Sequence, residues 1–194
     1  MPVKPPAPRH TSEDLGNKLI ISIPSLKTWF LTIYLGFCII IWAIFELLIP
    51  GAFLFNRNSV DTPPVLFLVF SFILLTVFGL FLIYNFAWQV TGKELIEVTT
   101  EFIIIRRVNL GLSSPKEYSS NFIKELRVSS SNMNLNHPML IWSYSYYYPW
   151  HPHNMGSLAF DYGARTFRFG GGVDEAEAKQ ILAEIQQKYP QYKN

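Results

Sequence analysis

The chain has 194 residues, 49% of them hydrophobic, 16% aromatic and only 15% charged, with a formal net charge of +2. An average soluble domain carries about 25% charge, so composition excludes a purely cytosolic protein, a disordered chain and a collagen-like one. Sixteen basic against fourteen acidic residues is too even a balance for a nucleic-acid partner. The single Cys38 excludes an intrachain disulfide and leaves a cysteine-built zinc site without partners.

Residues 1–26 are polar and Pro-rich (Pro2, Pro5, Pro6, Pro8), and disorder is expected over 1–18. The run from Leu19 to Ile23 has β character. It is read either as a strand laid on a later domain or as an interfacial lead into the membrane.

No charged residue occurs from Thr28 to Phe45, nor from Thr62 to Gly92. Uncharged apolar stretches of this length are read as transmembrane helices, since roughly 20 apolar residues span a bilayer core. The first is predicted over 29–49, about 31 Å at 1.5 Å per residue, with Lys27 and Trp29 at its start and Pro50-Gly51 as its stop. The second is predicted over 65–90, about 39 Å long, following Pro63-Pro64 and closing with Trp88, Gly92 and Lys93. Together these make a membrane region of residues 27–92. The flanks hold Lys4, Arg9, Lys18, Lys27, Lys93, Arg106 and Arg107, whereas the loop from Pro50 to Pro64 holds only Arg57. The positive-inside bias therefore places both termini in the cytoplasm and the short loop outside. Glu46 is the one ionisable residue inside a span and is read as an interfacial carboxylate reaching water. A proton relay would need a second buried partner, and the second span offers only Ser71, Thr76 and Asn85.

Residues 93–194 make one small domain, strands first and helix last. Residues 94–98 and 102–108 read as strands joined by Thr99, Thr100 and Glu101. Turn chemistry over 109–115 precedes short strands around Lys116–Tyr118 and Phe122–Val128. Residues 157–162 and 165–169 flank Gly163-Ala164, a hairpin signal. Gly170 to Gly172 then lead to Asp174 and Glu177, spaced as a capping box with Val173 as its staple. The helix that follows is predicted over 174–189, with Ala178, Ile181, Leu182 and Ile185 on its apolar face and Pro190 as its stop.

Antiparallel strands capped by one C-terminal helix, directly after two spans, resemble the bacterial pleckstrin-homology-like domains. The resemblance rests on residues 92–98, on 123–128 and on the run from Phe167 through Gly170 to Glu175. It covers roughly Lys93 to Tyr189. The whole chain also resembles uncharacterised bacterial two-span membrane proteins, and in layout it is similar to the two-span thylakoid factors that help assemble photosystem I. The fold class is therefore an α+β membrane protein, a two-helix transmembrane hairpin followed by a PH-like β-sheet or barrel with one C-terminal helix. The resemblance implies binding, scaffolding or self-association at a membrane face, in a bacterial plasma membrane or a thylakoid, and it supplies no catalytic residues.

The chain departs from a compact PH-like domain at an insertion over 129–156. That insertion holds Trp142, Tyr144, Tyr146, Tyr147, Tyr148 and Trp150, together with His137, His151 and His153. Tyr and Trp suit both a headgroup-level membrane contact and a protein docking surface, and the structural alternative is a strand pair packed on the sheet. His151 and His153 lack identifiable third and fourth metal ligands. The glycines 170–172 resemble an anion-binding turn, but Asp174 and Glu175 would repel a phosphate there, so a strand-to-helix joint is expected. Arg106, Arg107, Lys124, Arg127, Arg165 and Arg168 would form a patch for anionic headgroups if they shared one face, with Arg106 and Arg107 as the candidate headgroup contacts, and nearby Glu101, Glu117, Glu125 and Asp161 could neutralise it. No nucleophile motif, HExxH, Walker loop or dinucleotide fingerprint occurs. No catalytic residue, cofactor or metal is assigned. The expected function is a non-enzymatic membrane protein that binds or scaffolds other membrane proteins, or its own copies, with membrane lipids around it. A membrane-surface lipid sensor is the alternative, and a His-dependent metal-binding protein is the third reading.

Overall fold

The structure, a computed structural model, describes residues 8–55, 62–129 and 156–193. It divides into two compact units, Thr28–Ala87 on the one hand and Met1–Lys27 with Trp88–Asn194 on the other.

The first unit is a hairpin of two long helices, α1 (Trp29–Phe55) and α2 (Thr62–Thr91). Both are long and apolar enough to cross a membrane, and only 6% and 11% of their apolar windows are buried. The core helix of a soluble protein would be mostly buried, so these faces require an apolar surrounding. A stripe of Leu31, Leu35, Cys38, Ile39 and Trp42 on α1 packs on Leu82 and Phe86 of α2. Trp42 lies against Gly79, where an added Cβ would overlap the indole. Its Nε1–H donates to the Leu75 carbonyl at 2.9 Å.

Both helices outrun their sequence-based limits. Pro50 does not stop α1, which continues to Phe55. A mid-helix proline removes one hydrogen bond, here to the carbonyl of Glu46, and membrane helices tolerate that loss. Pro63 and Pro64 do not precede α2 but occupy its first turn, where no N–H is needed.

The second unit is assembled from both flanks of the hairpin. Strands β1 (Thr11–Asp14) and β2 (Leu19–Pro24) precede it, and β3 (Lys93–Val98), β4 (Phe102–Asn109) and β5 (Leu112–Ser119) follow it. These five form one antiparallel sheet in the order β1-β2-β3-β4-β5. Residues 11–14, expected to be disordered, are a strand because they pair with Ser22 to Leu19 of β2. β2 pairs with β3 along its whole length, from Leu19↔Val98 to Pro24↔Lys93. The domain expected over 93–194 alone thus includes the segment before the first helix. Pairing of β2 with β3 also brings the two segments that flank the hairpin side by side.

A second sheet, in the order β6-β7-β8, comprises β6 (Ile123–Val128), β7 (Leu158–Tyr162) and β8 (Arg165–Phe169). Among the described residues the two sheets are not hydrogen-bonded into a closed barrel. They are joined through side chains instead. Tyr118 of β5 meets Phe160 and Phe167 of the second sheet with ring centroids 5.0 Å apart. Helix α3 (Glu175–Lys188) adds Ala178, Ile181 and Ile185 to the same core as Ile21, Ile96, Ile103 and Phe169. Alternation along β2 and β3 buries Leu19, Ile21, Ile23, Ile96 and Val98, the two-residue period of a half-buried strand.

Asp174 caps α3, its side chain accepting from the Glu177 N–H at 2.7 Å. The expected capping box is only half made. Glu177 turns away from the cap and receives other donors.

Candidate functional site

The polar clusters of the second unit lie where its segments are tied together. Glu94, at an inward position of β3 and 2% exposed, is the first. Its Oε2 accepts from the N–H groups of Gly170 and Gly171 at 2.9 and 3.1 Å, and Oε1 faces Arg107 Nη2 at 3.3 Å. Gly170 and Gly172 sit at φ +74° and +75°, a left-handed conformation that glycine alone adopts without strain. The glycine turn therefore does form a nest of N–H groups, and a carboxylate of the chain itself occupies it.

Arg9 and His10 make the second cluster. The Arg9 guanidinium donates to the carbonyls of Gly172, Pro24 and Ser25 at 2.7, 3.0 and 2.9 Å. The backbone N–H groups of Arg9 and His10 donate to Glu177 Oε1 at 2.6 and 2.7 Å. The buried imidazole of His10 lies between two carboxylates of α3, with Nδ1 2.9 Å from Glu177 and Nε2 3.4 Å from Glu184. Lys188 adds an ion pair to Asp14, which holds the Asp14 carboxyl below its usual range.

The candidate headgroup contacts, Arg106 and Arg107, lie on opposite faces of β4. Adjacent residues of a strand point to opposite faces. Arg107 shares a face with its cross-strand partner Glu94, and Arg106 reaches Glu97 at 3.0 Å on the other. Lys124, Arg127, Arg165 and Arg168 belong to the second sheet, so the six cations are divided between two sheets. Arg127 grips Asp161 with two hydrogen bonds of 2.9 and 3.1 Å, and Thr166 donates to the same carboxylate. The guanidinium and the hydroxyl hold the Asp161 carboxyl below its usual range.

Trp142, Tyr144, Tyr146, Tyr147, Tyr148 and Trp150 lie outside the described residues, as do His137, His151 and His153. The two ends of that insertion are pinned, Ser129 N–H donating to the Ser157 carbonyl at 2.9 Å. Ser157 N–H in turn donates to the carbonyl of Gly170, beside the Glu94 seat. Among the described residues no three His, Cys, Asp or Glu side chains are grouped to hold a metal ion.

Within the hairpin, Glu46 stands five residues before the end of the apolar stretch at Gly51 and nine before the end of α1, and its Oε1 accepts from Thr76 of α2. Sequence reasoning missed Arg9, His10, Glu94 and Glu177 as a tie between distant segments. The one available signal was an Asp174–Glu177 spacing that suggested a cap.

No family model matches the chain, and neither a curated protein nor a solved structure matches it.

Proposed function

We propose that the protein is a non-enzymatic membrane protein whose hairpin spans the bilayer twice and whose α+β domain, PH-like in layout, binds or scaffolds other membrane proteins on the cytoplasmic side. The supporting observation is how the domain's polar groups are used. Arg9, His10, Glu94, Arg107 and Glu177 hold segments of the domain to one another. Meanwhile the most aromatic stretch of the chain, residues 142–150, is carried as an insertion between β6 and β7 whose ends are fixed. Aromatic side chains of this kind dominate protein interfaces.

Lipid-headgroup sensing at Arg106 and Arg107 is the weaker reading, since each guanidinium already faces a glutamate. Cross-linking of the full chain in its native membrane, followed by purification in mild detergent, tests the proposal. A discrete adduct with a partner or a second copy is expected, and it is lost when the six aromatics of 142–150 become serine. Recovery of a lone monomer overturns it. A test on residues 93–194 alone would strip β1 and β2 from the sheet, so the full chain is required.

A further inference from the structure

We infer that the β4–β5 turn carries a lipid-contacting tip, Leu110–Leu112, that seats in the headgroup boundary of the bilayer. The inference rests on the reading of α1 and α2 as membrane spans.

The register fixes where the tip lies. Pro24, Lys93 and Val108 are cross-strand neighbours in β2, β3 and β4. Lys93 follows the last residue of α2, Thr91, by two positions, and Pro24 stands five before the first residue of α1. The chain thus leaves for the hairpin and returns from it at one end of the sheet. β4 runs back toward that end and overshoots Lys93 by two residues at the tip, about 7 Å at 3.3 Å per residue.

The residues there are poorly explained by folding. Leu110 and Leu112 are 60% and 74% exposed. Leu110 and Gly111 have φ of +52° and +77°, the pattern of a two-residue hairpin turn with both central residues left-handed. The first of these positions is normally Asn, Asp or Gly. A leucine there is strained in its backbone and leaves its side chain in water. From Val108 to Pro115 there is no charged residue, while Lys27 and Lys93 flank the same end of the sheet. Apolar residues that dip beside lysines match an anionic interface, where apolar groups bury roughly 5–10 Å deep. The opposite end of the sheet carries Asp14, Lys18 and Glu101 at its turns, and its one exposed leucine, Leu15, has charged neighbours.

The test uses the full chain with Cys38→Ala and a single environment-sensitive fluorophore on Ser113→Cys, which keeps both leucines. The labelled protein is reconstituted in phosphatidylcholine–phosphatidylglycerol vesicles. Quenching by lipids bearing a nitroxide high on the acyl chain is compared with quenching by aqueous iodide. Label on Leu15→Cys serves as the water-facing reference and label on Ile44→Cys as the lipid-facing one. The tip site is expected to be quenched by lipid nitroxide several-fold more than the Leu15 site. That quenching should fall to the Leu15 level in Leu110→Asn/Leu112→Ser, whose Asn-Gly turn suits the fold. Quenching of the tip by iodide alone, or by neither agent, overturns the inference while Ile44 still reports the spans. An Ile44 site untouched by lipid nitroxide removes the membrane reading and this inference with it.

Discussion

Glu94 of the β domain and Glu46 of the hairpin both hold a carboxylate oxygen away from solvent, and the two are provided for in opposite ways. In the β domain, Glu94 receives two backbone N–H groups and a guanidinium, so both oxygens have donors and the charge has a counter-charge. In the hairpin, Glu46 has one hydroxyl partner, Thr76, and its Oε2 is buried with no hydrogen-bond partner among the described residues. The sequence explains the contrast. From Thr62 to Gly92 there is no cation to offer, whereas the domain brings Arg107 and the 170–171 turn together from positions far apart in the chain. A buried carboxylate with a matched cation ties segments together, and one without such a match is costly unless its surroundings compensate. The domain therefore uses its glutamate as a clasp. The hairpin relies on shape, with Trp42 against Gly79.

The largest expected effect follows from the clasp. Glu94→Gln keeps the side-chain shape but removes the charge that faces Arg107 and leaves the two N–H groups a weaker, neutral acceptor. Removing one member of a buried charge pair costs about 3–5 kcal/mol. Denaturant unfolding in nonionic detergent, followed by near-UV circular dichroism of the tyrosines, should show a loss of that size. An unchanged midpoint would break the comparison, because the seat would then be indifferent to charge.

Alkaline pH probes the same interior through a different group. Tyr192 is buried and donates its hydroxyl to the Thr99 carbonyl at 3.0 Å, and burial pushes its pKa from 10.0 up to about 12. Because the folded value exceeds the unfolded one, this contribution is intact below about pH 10. It is lost as pH rises toward 12, at about 1.4 kcal/mol per pH unit. Tyr192→Phe should remove one late phenol from an absorbance titration and lessen the loss of stability across that window. Tyr118, also raised by burial, titrates late in both proteins.

The hairpin answers to shape. Gly79→Val places carbon where the Trp42 indole lies, an overpacking that typically costs about 1–3 kcal/mol. The hairpin should loosen at lower dodecyl sulfate than the parent, as read by Trp42 fluorescence with the other four tryptophans replaced. The urea midpoint of the domain should stay within about 0.5 kcal/mol, as expected for distant sites. An equal loss in both assays would mean the two units are energetically one.

How much of this was legible depends on how local each signal was. The helices were visible because charge-free runs are a property of consecutive residues. Their ends were misplaced because Pro50 and Pro63-Pro64 were read as stops, when a proline is tolerated mid-span and in a first turn. β3, β4 and β7 were visible as short β-type apolar runs, and β8 alternates Thr166 and Arg168 with Phe167 and Phe169. β1 carried no such signal, being exposed at all four positions, and it exists through its pairing with β2. The ties made by Arg9, His10 and Glu94 join residues more than seventy positions apart at their longest reach, and no window of sequence holds both partners. Whether the six cations share a face was illegible for the same reason, since strand parity and glutamate partners are set by register.

The smallest effect is expected at Glu46, and it is the sharpest test of the contrast with Glu94. The Thr76 hydroxyl has one hydrogen and two facing acceptors, the Phe72 carbonyl at 2.9 Å and Glu46 Oε1. In Glu46→Gln the amide N–H donates to Thr76 Oγ1, which leaves the Thr76 hydrogen free for Phe72. The substitution also removes any charge from a segment with no cation to meet it, so it should shift hairpin stability by less than about 1 kcal/mol. Dodecyl sulfate titration beside Gly79→Val gives the measurement. A loss as large as that of Glu94→Gln would show that the Glu46 charge is itself held by something in the membrane. The hairpin would then contain a functional ionic site rather than a shape-packed anchor.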